Sequence, residues 1–454
     1  MQIPVDFIAR TSRWTDDYSL LEKALQNEPP VSIRLNPAKS PATLPCERVK
    51  WCRTGYYLAR RPPFTFDPLF HGGAYYVQEA SSMFLEQVVR QYVSSPAVCL
   101  DLCAAPGGKS THLLSLLPEN SVLVSNEVIR SRCAVLTENI LKWGAANVLV
   151  TNSDSEEVGR LTHLFDLIVA DMPCSGEGMF RKDVHSRGEW SVARVGLCAD
   201  RQRRIVHDVW DALRPGGLFV YSTCTFNREE NEDNIRYITE TFHAEALPLS
   251  VDAGWNVCCA DDGHPAYRFF PHRTKGEGFF LAVLRKADAP PRRISVKTRY
   301  NRRQKPPAQI CEWLRRPEMF RFETCRGVVH AIPEHASDIF GTVSERMRLF
   351  SAGIPAGQVK GKDVIPAHAL ALSTELHPDA FPAAEQTWDE AVRYLQREMP
   401  ALREDVPKGL YTVTCRHLPL GFARNIGSRV NNLYPQEWRI RSRDIPAEAP
   451  RIFP

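Results

Sequence analysis

A chain of 454 residues exceeds one ordinary domain, so two or three are expected. With 43% hydrophobic and 24% charged residues it can bury a sizeable core, and a net charge of only +4 demands no nucleic-acid partner, although local clusters can still grip one. The 13 cysteines contain no C-x-x-C pair, which argues against a zinc ribbon, and no metal is expected; scattered through apolar stretches, they read as reduced thiols of a cytoplasmic protein. No signal peptide is visible at "MQIPVDFIARTSRW" and no apolar run is long enough to span a bilayer, so no membrane association is expected.

In chain order, the first 95 residues carry one strand-like run, "VSIRLN", and a helix pattern, "EASSMFLEQVVRQYV". From 97 to 286 buried-strand and amphipathic-helix patterns alternate. The strands predicted are 97–102, 121–126, 147–152, 165–170, 217–223 and 279–285, several of them near-continuous apolar runs as strands covered on both faces require. Between them, "KSTHLLSLL" stops at Pro118 and "RSRCAVLTENILKWG" ends on Gly144, a residue suited to a left-handed cap. "ADRQRRIVHDVWDALRPGG" lines up Ile205, Val206, Val209, Trp210 and Leu213 before its Pro-Gly-Gly stop, and a further helix is expected after Asn227, with Glu230 completing a near capping box. Repeated βα units imply a mostly parallel, doubly wound α/β sheet. Residues 285–305 hold nine Lys or Arg against one Asp and run into Pro306 and Pro307, a basic linker that either tracks a phosphate backbone or is a solvated tether. Globular composition resumes at 308–454, with strand patterns at "GVVHAI" and "LYTVTC".

The loop "DLCAAPGGKS" (101–110) joins the first strand of the alternating region to its helix, where ligands of doubly wound sheets sit. Pro106, Gly107 and Gly108 allow a sharp turn, and the helix that follows offers free N–H groups. "GKST" (108–111) imitates a phosphate-binding loop, but Cys103 stands where that loop needs glycine, and the G-x-G-x-x-G spacing of dinucleotide sites is absent. Glu127, Asp154 and Asp171 follow three successive strands. Three carboxylates repel a triphosphate and suit a ligand carrying a sulfonium, an ammonium and a ribose diol, which describes S-adenosylmethionine. Any one of these acids taken alone could simply cap the next element.

Two cysteines, Cys174 in "DMPCSGEG" and Cys224 in "FVYSTCTFN", follow strands that feed the same sheet edge. Methyl transfer to a pyrimidine carbon needs a carbanion equivalent, which a thiolate supplies by adding to the adjacent carbon; a second group must then remove a proton so that the thiol leaves. By pattern alone either cysteine could be nucleophile, helper or packed thiol.

"DLCAAPGGKS", "DMPCSGEGMFRKD" and "LRPGGLFVYSTCTFNREENE", in this order, resemble the RNA 5-methylcytosine methyltransferases of the Nop2/Sun family. "PVSIRLNP", "HGGAYYVQEASSM" and "PHRTKGEGFFLAVLRK" fit the same family, and the segments 349–372 and 409–441 are similar to its RsmF-type bacterial subgroup. The resemblance implies a Rossmann-like class I methyltransferase domain at 96–286, a small N-terminal RNA-binding extension at 1–95, a basic linker at 287–308 and a C-terminal α+β region at 309–454 with a PUA-like RNA-binding module. It assigns the nucleophile to Cys224 and resolution of the covalent adduct to Cys174, since DNA enzymes use the Pro-Cys thiol instead and Thr223-Cys224 marks the RNA type. Cys103, Ala104, Ala105, Pro106, Gly107, Gly108 and Lys109 would line S-adenosylmethionine, with Glu127 at the ribose and Asp154 near the adenine. Asp171 would serve both cofactor and cytosine, and Lys109 the base or the cofactor. The implied partner is RNA, 16S rRNA or the small ribosomal subunit, acted on by a monomer. Arg34, Asn36, Arg181, Lys182, Arg424 and Arg429 are candidate RNA contacts. Competing readings are a P-loop NTPase and a non-catalytic ribosome-assembly factor.

Overall fold

The computed structural model describes residues 2–13, 15, 17–40, 43–259, 263–287, 305–361 and 363–453. Most of the predicted basic linker, residues 288–304, lies outside these.

Strands β1 (Val31–Leu35), β2 (Gly55–Leu58) and β3 (Tyr75–Val77) form a small antiparallel sheet in the order β2-β1-β3. β4 (Val98–Asp101), β5 (Val122–Asn126), β6 (Val148–Thr151), β7 (Phe165–Asp171) and β8 (Leu213–Thr223) follow. They pair in parallel as β8-β7-β4-β5-β6. Then come β9 (Glu245–Leu247), β10 (Cys258–Cys259), β11 (Ala266–Phe269) and β12 (Phe279–Arg285). β12 runs antiparallel to β8 and carries β9 and β11. The six strands expected for this region all form, because their apolar residues are buried from both sides: β5 and β6 have no exposed position. One core lies on each face of the sheet, the first around Val88, Leu123 and Leu281, the second around Val124, Phe219 and Val206.

The chain winds one way from β4 to β6 and the other way from β7 to β8. The β4–β7 boundary is therefore the switch point at which such sheets open a crevice beyond their carboxyl ends.

After the linker come β13 (Phe320–Cys325), β14 (Val328–Pro333), β15 (Leu349–Ala352), β16 (Ile354–Lys360) and β17 (Asp363–Pro366). β15 leaves its neighbours and pairs antiparallel with β6, so a segment from beyond the expected boundary at 309 extends the central sheet. The preceding helix, Ser337–Arg346, sends Phe340 and Val343 into the second core. Finally β18 (Ala383–Glu385), β19 (Gly409–Cys415), β20 (Leu418–Asn425) and β21 (Val430–Asn432) form a four-stranded sheet. Trp388 ties it to the N-terminal region by donating from Nε1 to the Phe66 carbonyl, 2.8 Å away. No helix among the described residues is long and apolar enough to cross a membrane.

Two helix boundaries differ from expectation. The helix placed at 199 starts at Val192, capped by the Ser191 hydroxyl. The helix placed after Asn227 starts only at Glu232. Asn227 and Glu230 do exchange hydrogen bonds, at 2.9 and 2.8 Å, but their side chains also serve neighbouring loops, and this holds the segment in a turn.

Candidate active site

A cavity of about 570 Å³ opens at the switch point, and Cys103, Ala105, Glu127, Asp154, Asp171, Cys174 and Cys224 share its wall. The loop after β4 forms one side. Gly107 takes a φ of 114°, a left-handed value that a side chain resists, and begins the helix Gly108–Leu116. Ala104, Pro106, Gly107 and Gly108 build this turn, while Cys103 and Ala105 face the cavity.

Glu127 is buried; Oε1 accepts the Ile129 N–H at 2.9 Å, whereas buried Oε2 has no hydrogen bond, only the Arg132 guanidinium as an ion pair at 3.3 Å. That unfilled acceptor at the cavity wall fits a ribose diol. Asp154 behaves otherwise: its carboxylate accepts the Glu157 N–H at 2.9 Å in a capping box, so it works as a helix cap on the cavity rim. Asp171 stands between the two halves of the site. Its Oδ2 pairs with Lys109 Nζ at 2.9 Å and its Oδ1 accepts the Ser222 hydroxyl at 2.8 Å. Burial works against the Lys109 charge, but Asp171 first, and behind it Asp101 and the Cys224 sulfur, together outweigh burial and lift the ammonium above its ordinary range. Below the loop, burial pushes the Asp101 carboxyl up to about 7.

Cys174 and Cys224 meet Sγ to Sγ at 3.2 Å. The hydrogen bond to Cys224, followed by burial, drives the Cys174 thiol well above its usual range, so it keeps its proton at neutral pH. Two buried carboxylates lock the loops that carry the pair. Glu177 accepts the N–H groups of Phe226 and Asn227, each at 2.8 Å, and the Trp190 indole N–H at 3.0 Å. Glu230 accepts the Ser175 N–H at 3.0 Å and the Gln202 amide at 2.8 Å. Gly178 allows the loops to touch: a Cβ there would meet the Cys224 carbonyl at 2.8 Å. The sequence reading missed Glu177 as a clamp and gave Glu230 only a capping role; the signal was an acid three residues after one cysteine and another six after the other.

Several expected RNA contacts are internal. Arg34 is fully buried, donating to Gln78 Oε1 at 2.7 Å and Thr111 Oγ1 at 2.6 Å beneath the cofactor loop. Asn36 donates to the Gly73 and Trp143 carbonyls at 2.9 and 3.0 Å. Arg181 is clamped by Glu277 and the Gly276 carbonyl. These polar groups earn their place by satisfying buried backbone, which sequence cannot distinguish from a surface role. Lys182, Arg424 and Arg429 are exposed.

A doubly wound sheet with acids closing successive strands and a glycine loop at its switch point defines a class I S-adenosylmethionine-dependent methyltransferase. Three family models match in chain order: the N-terminal domain of 16S rRNA methyltransferase RsmF at residues 3–80, 16S rRNA methyltransferase RsmB/F at 93–285, and the methyltransferase RsmF PUA domain at 383–440. Ribosomal RNA small subunit methyltransferase F of Escherichia fergusonii is 31% identical over 422 residues, covering 86% of this chain and 84% of its own. Its counterpart from Escherichia coli O6:H1 is 32% identical over 419 residues, with the same coverage of 86% and 84%. Among solved structures, a methyltransferase homologue from Pyrococcus horikoshii aligns with a TM-score of 0.52 and 27% identity over 63% of this chain and 100% of its own. NSun6 from the same organism shares the fold at a TM-score of 0.54 and 20% identity, over 63% and 99%. The chain belongs to the RsmB/RsmF family of 16S rRNA methyltransferases.

Proposed function

We propose that the protein methylates carbon 5 of a cytosine in 16S rRNA, with Cys224 as the nucleophile and Cys174 as the residue that resolves the adduct. The observation that carries this reading is the 3.2 Å contact of the two sulfurs on the wall of a cavity shared with the acids of the cofactor side. Glu127 would hold the ribose, Asp154 would border the adenine, and residues 103–109 would cradle the rest of the S-adenosylmethionine. The bound cofactor supplies an electrophilic methyl group. Cys224 Sγ adds to carbon 6 of the flipped base and makes carbon 5 nucleophilic. Lys109, its ammonium paired with Asp171 at 2.9 Å and close enough to Cys224 to feel that sulfur, is the cation beside the nucleophile. Asp171, tethered by Lys109 and Ser222, holds the base. Once Cys224 is bonded to carbon, the hydrogen bond that chiefly raised the Cys174 thiol is gone. Cys174 then releases its proton to solvent and, as thiolate, takes the proton from carbon 5 while the electrons of the carbon 6–sulfur bond return to Cys224.

Residues 96–286 carry the chemistry in this reading; 1–95 and 309–454 grip RNA, and the protein acts as a cytoplasmic monomer. Cys224→Ala should abolish methylation of small-subunit rRNA, and Cys174→Ala should accumulate a protein–RNA adduct on a denaturing gel. Normal turnover by Cys174→Ala without any adduct would overturn the assignment.

A further inference from the structure

The cavity is lined by the acids Glu127, Asp154, Asp171, Asp183 and Glu189 and also by arginines, three of which, Arg194, Arg201 and Arg204, come from the helix Val192–Val209. Their spacing of seven and three residues puts them on one helix face. Arg194 is engaged with Glu189 at 3.2 Å. Arg201 and Arg204 are exposed, and among the described residues neither has a carboxylate partner. Among the described residues, Arg201 has hydrogen-bond contacts only with the Pro173 carbonyl and Cys198 Sγ, both at 3.5 Å, which put its guanidinium beside the Pro173-Cys174 turn.

Glu127 and Asp171 suit a cationic cofactor. A cytidine turned out of its stack toward Cys224 brings its own two phosphates to the rim, and phosphate without a cation opposite it is costly to desolvate. The other arginine lining this cavity, Arg132, is committed to Glu127 and to the Ala105 carbonyl. We propose that Arg201 and Arg204 bind the phosphates flanking the target cytidine and so hold the extruded nucleotide over the cysteines. This rests on the RNA-methylating reading above.

The test uses the full chain, wild type against R201A/R204A and R201K/R204K, with a 16S rRNA fragment and with S-adenosylmethionine alone. The double alanine variant should raise the KM for RNA about tenfold or more, and flatten the salt dependence of RNA affinity by about 0.7 in log–log slope for each phosphate no longer neutralised. Its cofactor affinity should stay within about twofold of wild type, and the lysine variant should recover most of the salt slope because it keeps the charge. Unchanged RNA affinity and slope would overturn the proposal, and so would weakened S-adenosylmethionine binding, which would place the arginines at the cofactor's carboxylate. A wild type that binds S-adenosylmethionine but methylates no RNA would instead overturn the reading beneath it.

Discussion

At the scale of single residues, the site works by setting unlike protonation states side by side. Lys109 stays charged through Asp171, and Cys174 stays protonated through Cys224. Asp101, wholly buried below them, has one oxygen satisfied by Ser110 at 2.6 Å and the other by nothing. Its carboxyl is raised from 3.8 to about 7 by burial. Between those values the unfolded chain releases a proton that the folded chain keeps, so this group costs stability increasingly as pH rises through that window and no more above it. Asp101→Asn should therefore gain on wild type across the window, by up to about 4 kcal/mol, in urea unfolding at a series of pH values. Asp171→Asn should remove the partner of Lys109 and lower kcat by about a hundredfold or more, read in a methylation assay at saturating substrates.

At the scale of elements, the two cysteine loops are held by carboxylates that accept backbone N–H groups. Glu177→Gln would turn an amide donor toward donors and cost about 2 kcal/mol. The expected result is a fall in kcat with cofactor affinity intact, measured by titration calorimetry beside turnover. The strands of the central sheet were legible because a run such as "SVLVSN" has no polar face to offer. The glycine loop and the Thr-Cys and Pro-Cys turns were legible because their chemistry is local. The clamp was not, since an acid that accepts backbone N–H groups fifty residues away looks in sequence like any surface acid. Nor was Arg34, whose partners Gln78 and Thr111 are brought near only by tertiary packing. The displacement of β15 onto β6 was hidden for the same reason: a four-residue strand carries no mark of the sheet it joins. Phe340→Ala, on the helix just before it, should destabilise the cofactor-binding core by about 3 kcal/mol in a single cooperative transition.

At the scale of the whole molecule, burial holds three histidines neutral. His71 and His368 are lowered to about 3, and His112 to about 4. Lys142, on the helix Arg130–Trp143, depresses both His71 and His368. These groups contribute stability that is complete above pH 6.5 and drains away as pH falls toward their folded values. The rate is about 1.4 kcal/mol per pH unit for each histidine. Thermal melts should show a steep acid loss starting near pH 6.5, made shallower in His368→Gln. A larger consequence follows from β15 and from Trp388. A strand from late in the chain is stitched into the catalytic sheet, and the last sheet is fastened to the first region, so the terminal modules cannot swing freely about a tether. Anything seated on the C-terminal sheet then lies at a set distance from the paired sulfurs of Cys174 and Cys224, and an RNA gripped there would be measured as a caliper measures, by span.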